Sequence, residues 1–185
     1  GWTKLLQDDG NVDPKIILSL KNDLRRISEI TDRFSKIGSR LRLNSLNVIN
    51  IINDVKLYFE QKLHENHSII FSKDNLDSFS IKGDKVLLIW AFENLIKNGI
   101  DSFAQKKGKL IITTYKMKNN IVIDFEDNGK GIARRNQNII FRPGFSTKKR
   151  GWGLGLNLAK RIIEDIHQGQ LTLISSRKGK KIFRI

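Results

Sequence analysis

Two glycine clusters, Gly129/Gly131 and Gly151/Gly153/Gly155, bracket a basic loop, and this stretch constrains the chain more than any other. It reads DNGKGI, then IIFRPGFSTKK, then RGWGLGL running directly into the apolar-periodic NLAKRIIEDI. Glycine lets a backbone take positive φ and approach a ligand closely. A glycine cluster that opens a helix turns free N–H groups and the positive end of the helix dipole outward, which suits phosphate. A buried carboxylate at Asp127 would offer only acceptors, matching an exocyclic amine such as that of adenine. The stretch therefore implies a nucleotide pocket closed by a lid.

The rest of the chain has to supply a core and a floor for that pocket. A hydrophobic fraction of 39% is enough for a packed core, so a disordered chain is excluded. The absence of cysteine excludes a disulfide framework and any thiol-ligated zinc, and fits a reducing, cytoplasmic setting. No apolar run is long enough to span a bilayer and there is no signal peptide, so any membrane anchor is expected outside this sequence. The formal charge of +15 raises nucleic acid as a partner. The basic residues are scattered, however, with local clusters at 106–109, 148–150 and 177–181, and no aromatic ladder accompanies them. The middle cluster falls inside the expected lid, so no nucleic-acid partner is expected.

Taken in order, residues 1–6 read as the tail of a helix and QDDGNVDP as a turn, with Asp13 as N-cap and Pro14 as first helical residue. Ile16, Ile17, Leu20, Leu24, Ile27, Ile30, Phe34 and Ile37 recur at helical spacing, predicting an amphipathic helix of about six turns ending near Gly38. Its near-heptad stripe suits half of a helical hairpin or a dimer. SRLRLNSL reads as a linker, so 1–38, 39–46 and 47–185 are expected as hairpin, linker and main domain. Asn47, or Ser45, should cap the next helix, which ends near His64 and His67; two histidines without further ligands read as surface residues. HSIIFSK and SFSIKG read as strands around the turn KDNLD. Asp84 should cap a largely apolar, buried helix carrying Glu93, Asn94, Asn98 and Asp101. Asn94 and Asn98 share one face of it, where their amide oxygens suit either a hard cation such as Mg²⁺ or the capping of neighbouring loops. Two strands joined around residues 118–120 follow, the second ending at Asp127. After the lid come a helix over about 154–166 and two closing strands. The element order predicts an α/β sandwich, a mixed sheet with helices on one face.

Four segments in series then resemble the catalytic, ATP-binding domain of sensor histidine kinases, a family within the Bergerat-fold ATPases alongside DNA gyrase B, Hsp90 and MutL. ENLIKNGIDS resembles the asparagine box and EDNGKGI the first glycine box. IIFRPGFSTKK is similar to the phenylalanine-containing lid segment, and GWGLGL to the second glycine box. The resemblance implies that Asn98 holds Mg²⁺ with Asn94 assisting, and that Asp127 accepts from the adenine amine. Gly129 and Gly131 would let the backbone pass the base, with Asp101 and Ile132 completing that part of the nucleotide site. Ser146, Thr147 and Lys148 would reach the phosphates, Lys148 the terminal one. Gly151, Gly153, Leu154, Gly155 and Leu156 would cradle the phosphate chain. Phe141 is expected to anchor the lid rather than touch nucleotide. Gly99 and Ser102 stand where this family usually has alanines, and Trp152 where it usually has threonine.

The resemblance also implies chemistry. ATP-hydrolysing relatives carry glutamate at the position of Asn94, and asparagine cannot act as a general base. Phosphoryl transfer to a protein histidine is thus expected over hydrolysis, with relay to an aspartate on a response-regulator receiver domain. DLRRISEITDRFSKIGS resembles the second helix of the dimerisation and phosphotransfer hairpin, and GWTKLL the end of its first. The phosphoacceptor histidine would precede this chain, so the chain is expected not to label itself, and the longer protein is expected to be a homodimer. The rival expectations are a degenerate nucleotide-binding scaffold, and an ATPase or serine kinase of the same fold.

Overall fold

The computed structural model describes residues 43–73, 80–103, 107–148 and 152–185, together with Ile17, Leu24 and Thr31 singly. The chain divides into two units, Gly1–Leu41 and Arg42–Ile185. The first unit lies outside the described residues apart from those three helical positions, and with it the expected hairpin and the caps at Asp13 and Pro14. The other described residues all belong to the second unit.

Its elements in chain order are β1 (Asn44–Asn47), α1 (Val48–Glu60), β2 (His67–Lys73), β3 (Ser80–Gly83), α2 (Lys85–Ile100), β4 (Gly108–Met117) and β5 (Asn120–Asp127). A 3₁₀ turn at Arg134–Asn136 interrupts the lid, and α3 (Gly155–Arg161), β6 (Thr172–Arg177) and β7 (Lys180–Arg184) follow it. β1 begins inside the stretch read from sequence as a linker. Asn47 caps α1, its Oδ1 accepting from the backbone N–H of Ile49 at 2.9 Å and of Asn50 at 3.3 Å. Asp84 caps α2, accepting from Leu87 N–H at 3.0 Å. α3 continues as a π-helical turn at Ile162–Ile166, which nothing in the local sequence signals.

β2 and β3, read from sequence as strands around the turn KDNLD, do not pair with each other. β2 pairs in parallel with β4, whereas β3 pairs antiparallel with β1. A turn signal reports only that the chain reverses; the partner of each strand is fixed by tertiary packing. The main sheet has the order β2-β4-β5-β7-β6, mixed because of the one parallel pair.

Alternation along the central strands separates its faces. Ile123, Phe125 and Asp127 of β5 point inward, as do Lys181 and Phe183 of β7. On the other side Arg184 makes a two-pronged ion pair with Asp124, at 2.7 Å to each carboxylate oxygen. α2 is the middle helix, contacting α1, α3, β4 and β5. Its Leu87, Leu88, Ala91, Phe92, Leu95 and Ile96 are buried with Leu110, Ile112, Phe125 and Phe183 of the sheet, and the Phe92 and Phe125 rings lie 5.9 Å apart. This is the expected α/β sandwich. Among the described residues no helix is long and apolar enough to cross a membrane.

Because Asn47 satisfies two otherwise orphaned N–H groups, Asn47→Ala is expected to lower stability by about 1 kcal/mol in urea unfolding. An unchanged midpoint would show that the cap carries no net stability.

Candidate functional site

The strand register creates the centre of the site. Asp127 on β5 stands directly opposite Lys181 on β7, one step beyond the pair Phe125 and Phe183. The period of two that buries those phenylalanines also buries the charged pair, and Asp127 and Lys181 are each 2% exposed. The Lys181 ammonium lies 3.1 Å from Asp127 Oδ2 and donates to Asn98 Oδ1 at 2.8 Å. The other carboxylate oxygen, Asp127 Oδ1, accepts from the Gly129 N–H at 3.0 Å and lies 2.7 Å from the Ser102 hydroxyl, whose one proton is shared with the Gly99 carbonyl, also at 2.7 Å. Burial pushes the Lys181 ammonium below its ordinary pKa; the Asp127 charge opposes that, and Lys148 and Lys130 add to it. A buried ion pair is tolerable only when its remaining groups are largely bonded; here Asn98, Ser102 and Gly129 supply partners, and one Lys181 N–H and one Oδ2 lone pair are left open.

α2 carries the second part. Asn98 reaches the centre through Lys181, while the Asn94 side-chain N–H donates to its own helix at Trp90 C=O, 2.8 Å away. Asn94 Oδ1 faces the start of α3 so closely that a Cβ on Gly155 would sit 2.6 Å from it. The start of α3 has no side-chain cap, since Leu154 holds the N-cap position. The N–H groups of that first turn thus face outward beside the asparagine face of α2. Leu154 is exposed, and Gly155 and Leu156 are half-buried.

The lid supplies the third part. Gly153 holds φ +66°, and a Cβ there would meet the Gly144 carbonyl oxygen at 2.6 Å, so only glycine fits where the lid packs against the residues leading into α3. Gly144 N–H bonds to Gly153 C=O at 3.1 Å at that junction. Phe141 packs edge-on against Phe183, and its carbonyl accepts from Asn157 at 2.9 Å, so this ring does anchor the lid. Ser146, Thr147 and Lys148 are exposed on it. Ser146 Oγ accepts the Lys148 N–H at 3.1 Å, and the Lys148 ammonium reaches Asp101 Oδ2 at 2.7 Å, tying the lid to the end of α2. Gly131 has φ +72°, and the Ile132 N–H is taken by Ser176 Oγ at 2.7 Å. Gly151 lies outside the described residues.

The structure thus brings together Asn98, Asp127 and Gly129 in one cluster, Asn94 with Gly155 in a second, and Asp101 with Lys148 in a third. Sequence reasoning missed Lys181 and the Ser102 bond. Lys181 passed as one more residue of a scattered basic cluster; its spacing of two from Phe183 was the signal that it faces inward. His167 is occupied: its Nε2 accepts from Asp84 N–H at 3.0 Å and its Nδ1 lies 2.7 Å from Ile162 C=O, which makes Nδ1 the protonated nitrogen of a neutral ring.

The chain resembles known proteins in sequence and in fold. Residues 83–185 match the family described as histidine kinase-, DNA gyrase B-, and HSP90-like ATPase. Sporulation kinase A of Bacillus subtilis is 32% identical over 140 residues, covering 76% of this chain and 23% of that kinase. The chain therefore spans about a quarter of this relative's length. Among solved structures, the nucleotide-free catalytic domain of the histidine kinase ThkA is 29% identical with a TM-score of 0.69, over 78% of this chain and 95% of that one. A structure of ThkA in complex with the response regulator protein TrrA matches at 25% identity and a TM-score of 0.70, over 100% of this chain and 55% of that one.

Proposed function

We propose, because this chain belongs to the family of histidine kinase-, DNA gyrase B- and HSP90-like ATPases, that its Arg42–Ile185 unit is the ATP-binding catalytic domain of a two-component sensor histidine kinase. The observation that carries this reading is the buried Asp127 at the end of β5, set beside the two-asparagine face of α2 with the uncapped start of α3 against Asn94.

In this reading the second lone pair of Asp127 Oδ2 accepts from the adenine amine, and the first-turn N–H groups of α3 meet the phosphates. Asn94 offers a hard amide oxygen that suits Mg²⁺, which would neutralise phosphate charge when bound; Asn98, whose Oδ1 accepts from the Lys181 ammonium at 2.8 Å, would join it only on giving up that bond. Lys148 leaves Asp101 to meet the terminal phosphate. The bond from the γ-phosphorus to the β–γ bridging oxygen breaks, a bond to a histidine imidazole nitrogen forms, and ADP leaves. Asn94 provides no general base for water, which favours transfer over hydrolysis. His167 is spent on Asp84 and Ile162 and is not available as the acceptor. The phosphoryl group then passes to a receiver-domain aspartate, a partner consistent with the ThkA complex.

Supplying γ-labelled Mg·ATP to this chain together with a histidine-bearing helical hairpin from a related kinase tests the proposal. Acid-labile label on the hairpin with little free phosphate is the expected result. Steady phosphate release with an unlabelled hairpin would replace the kinase with an ATPase.

A further inference from the structure

The ammonium of Lys181 is a buried cation beside the Asp127 carboxylate. It is 2% exposed and lies 3.1 Å from the carboxylate oxygen that the proposed function assigns to the adenine amine. Asp127 Oδ1 faces the Gly129 N–H and the Ser102 hydroxyl, whose one proton it shares with the Gly99 carbonyl, whereas Oδ2 faces Lys181 and is the oxygen open to a base amine. Oδ2 has one lone pair beyond the one facing Lys181.

An ammonium has three N–H groups. Among the described residues two of them go to Asp127 and Asn98, and the charge also sits 5.5 Å from the Phe183 ring centre. One N–H remains for a ligand. A buried donor without a partner is costly, so a ligand acceptor at this point would be gained rather than merely tolerated.

The exocyclic amine of adenine is flanked by ring-nitrogen acceptors, N1 on one side and N7 on the other. An acceptor and a donor about 3 Å apart match an amine and its neighbouring ring nitrogen presented together. We propose that Lys181 is a base-reading residue: it donates to the ring nitrogen beside the amine held by Asp127, so that two adjacent side chains read one edge of adenine. This rests on the nucleotide-binding reading above and adds to it a second, cationic contact from a different strand. On the N1 edge the pair also rejects guanine, whose O6 would face the carboxylate and whose N1–H would face the ammonium.

The test pairs a ligand atom with a side chain. Non-hydrolysable ATP and its 1-deaza and 7-deaza counterparts, each lacking one ring nitrogen, are titrated calorimetrically into the chain, into Lys181→Met and into Lys181→Arg. Loss of a hydrogen bond to a charged group predicts that one of the two deaza analogues binds the parent chain at least about tenfold more weakly than ATP. Lys181→Met should bring that analogue to within about twofold of ATP, and Lys181→Arg, which keeps charge and donors, should retain the preference. The analogue that loses affinity identifies the edge being read. ATP binding that is indifferent to both ring nitrogens in the parent chain would overturn the base-reading role alone, whether or not Lys181→Met folds. No ATP binding at all would remove the nucleotide reading and this role with it.

Discussion

Replacing Asp127 with alanine is expected to cost about 3–5 kcal/mol of stability, because it leaves the Lys181 ammonium buried with Asn98 as its remaining polar partner. The deficit has a defined pH dependence. Burial already holds the folded-state pKa of Lys181 below its unfolded value, and the substitution removes the Asp127 charge that opposed this. Between the folded and unfolded values the unfolded chain binds the extra proton, so stability rises with pH. The variant should recover stability as pH climbs toward the unfolded lysine value of about 10.4. Urea unfolding from neutral to alkaline pH measures this; a deficit constant over that range would mean that the ammonium is not the source of the loss. The paired replacement Asp127→Leu with Lys181→Met removes both charges and is expected to regain most of the stability without regaining nucleotide binding. That variant separates the fold from the site.

The second large effect concerns Gly129. A Cβ there would lie 2.6 Å from the Ser102 carbonyl oxygen and 2.7 Å from the Ser102 Cβ. Ser102 cannot simply step aside, since its carbonyl accepts from Lys130 N–H at 3.0 Å and its hydroxyl holds Asp127. Gly129→Ala is therefore expected to lose about 2 kcal/mol by overpacking and to turn the Asp127 carboxylate away from its present orientation. Nucleotide affinity should fall by about tenfold or more with it, equivalent to one lost hydrogen bond to a charged group. Normal stability together with normal affinity in this variant would contradict the close packing of β5 against the end of α2.

Much of the architecture was legible because short-range rules decided it. The apolar run HSIIFSK became β2 over the residues read from it, and Asn47 and Asp84 cap their helices by the ordinary side-chain geometry. Alternation placed Asp127 inward with Phe125 and Ile123, as a nucleotide pocket requires. What was not legible depends on partners distant in sequence. β2 takes a parallel partner in β4, which no turn residue can encode. β1 is four residues of NSLN without alternating apolar positions, and it exists because β3 pairs with it. Lys181 hid in a run of basic residues; its spacing of two from Phe183 set its face, but its partner Asp127 across the strand pair follows only from the assembled register. Ser102, unusual for the family it resembles, became legible in the same way, its hydroxyl lying between that carboxylate and the Gly99 carbonyl.

The central claim is a nucleotide pocket centred on Asp127, and a calorimetric titration with a non-hydrolysable ATP analogue, with and without Mg²⁺, tests it most directly. The chain should bind at about micromolar concentration, worth about 8 kcal/mol. Mg²⁺ should strengthen that binding, and Asp127→Asn should weaken it at least about tenfold. No binding in the parent chain would contradict the account, and would make the Lys181 bridge between Asp127 and Asn98 the mark of a scaffold that holds no nucleotide.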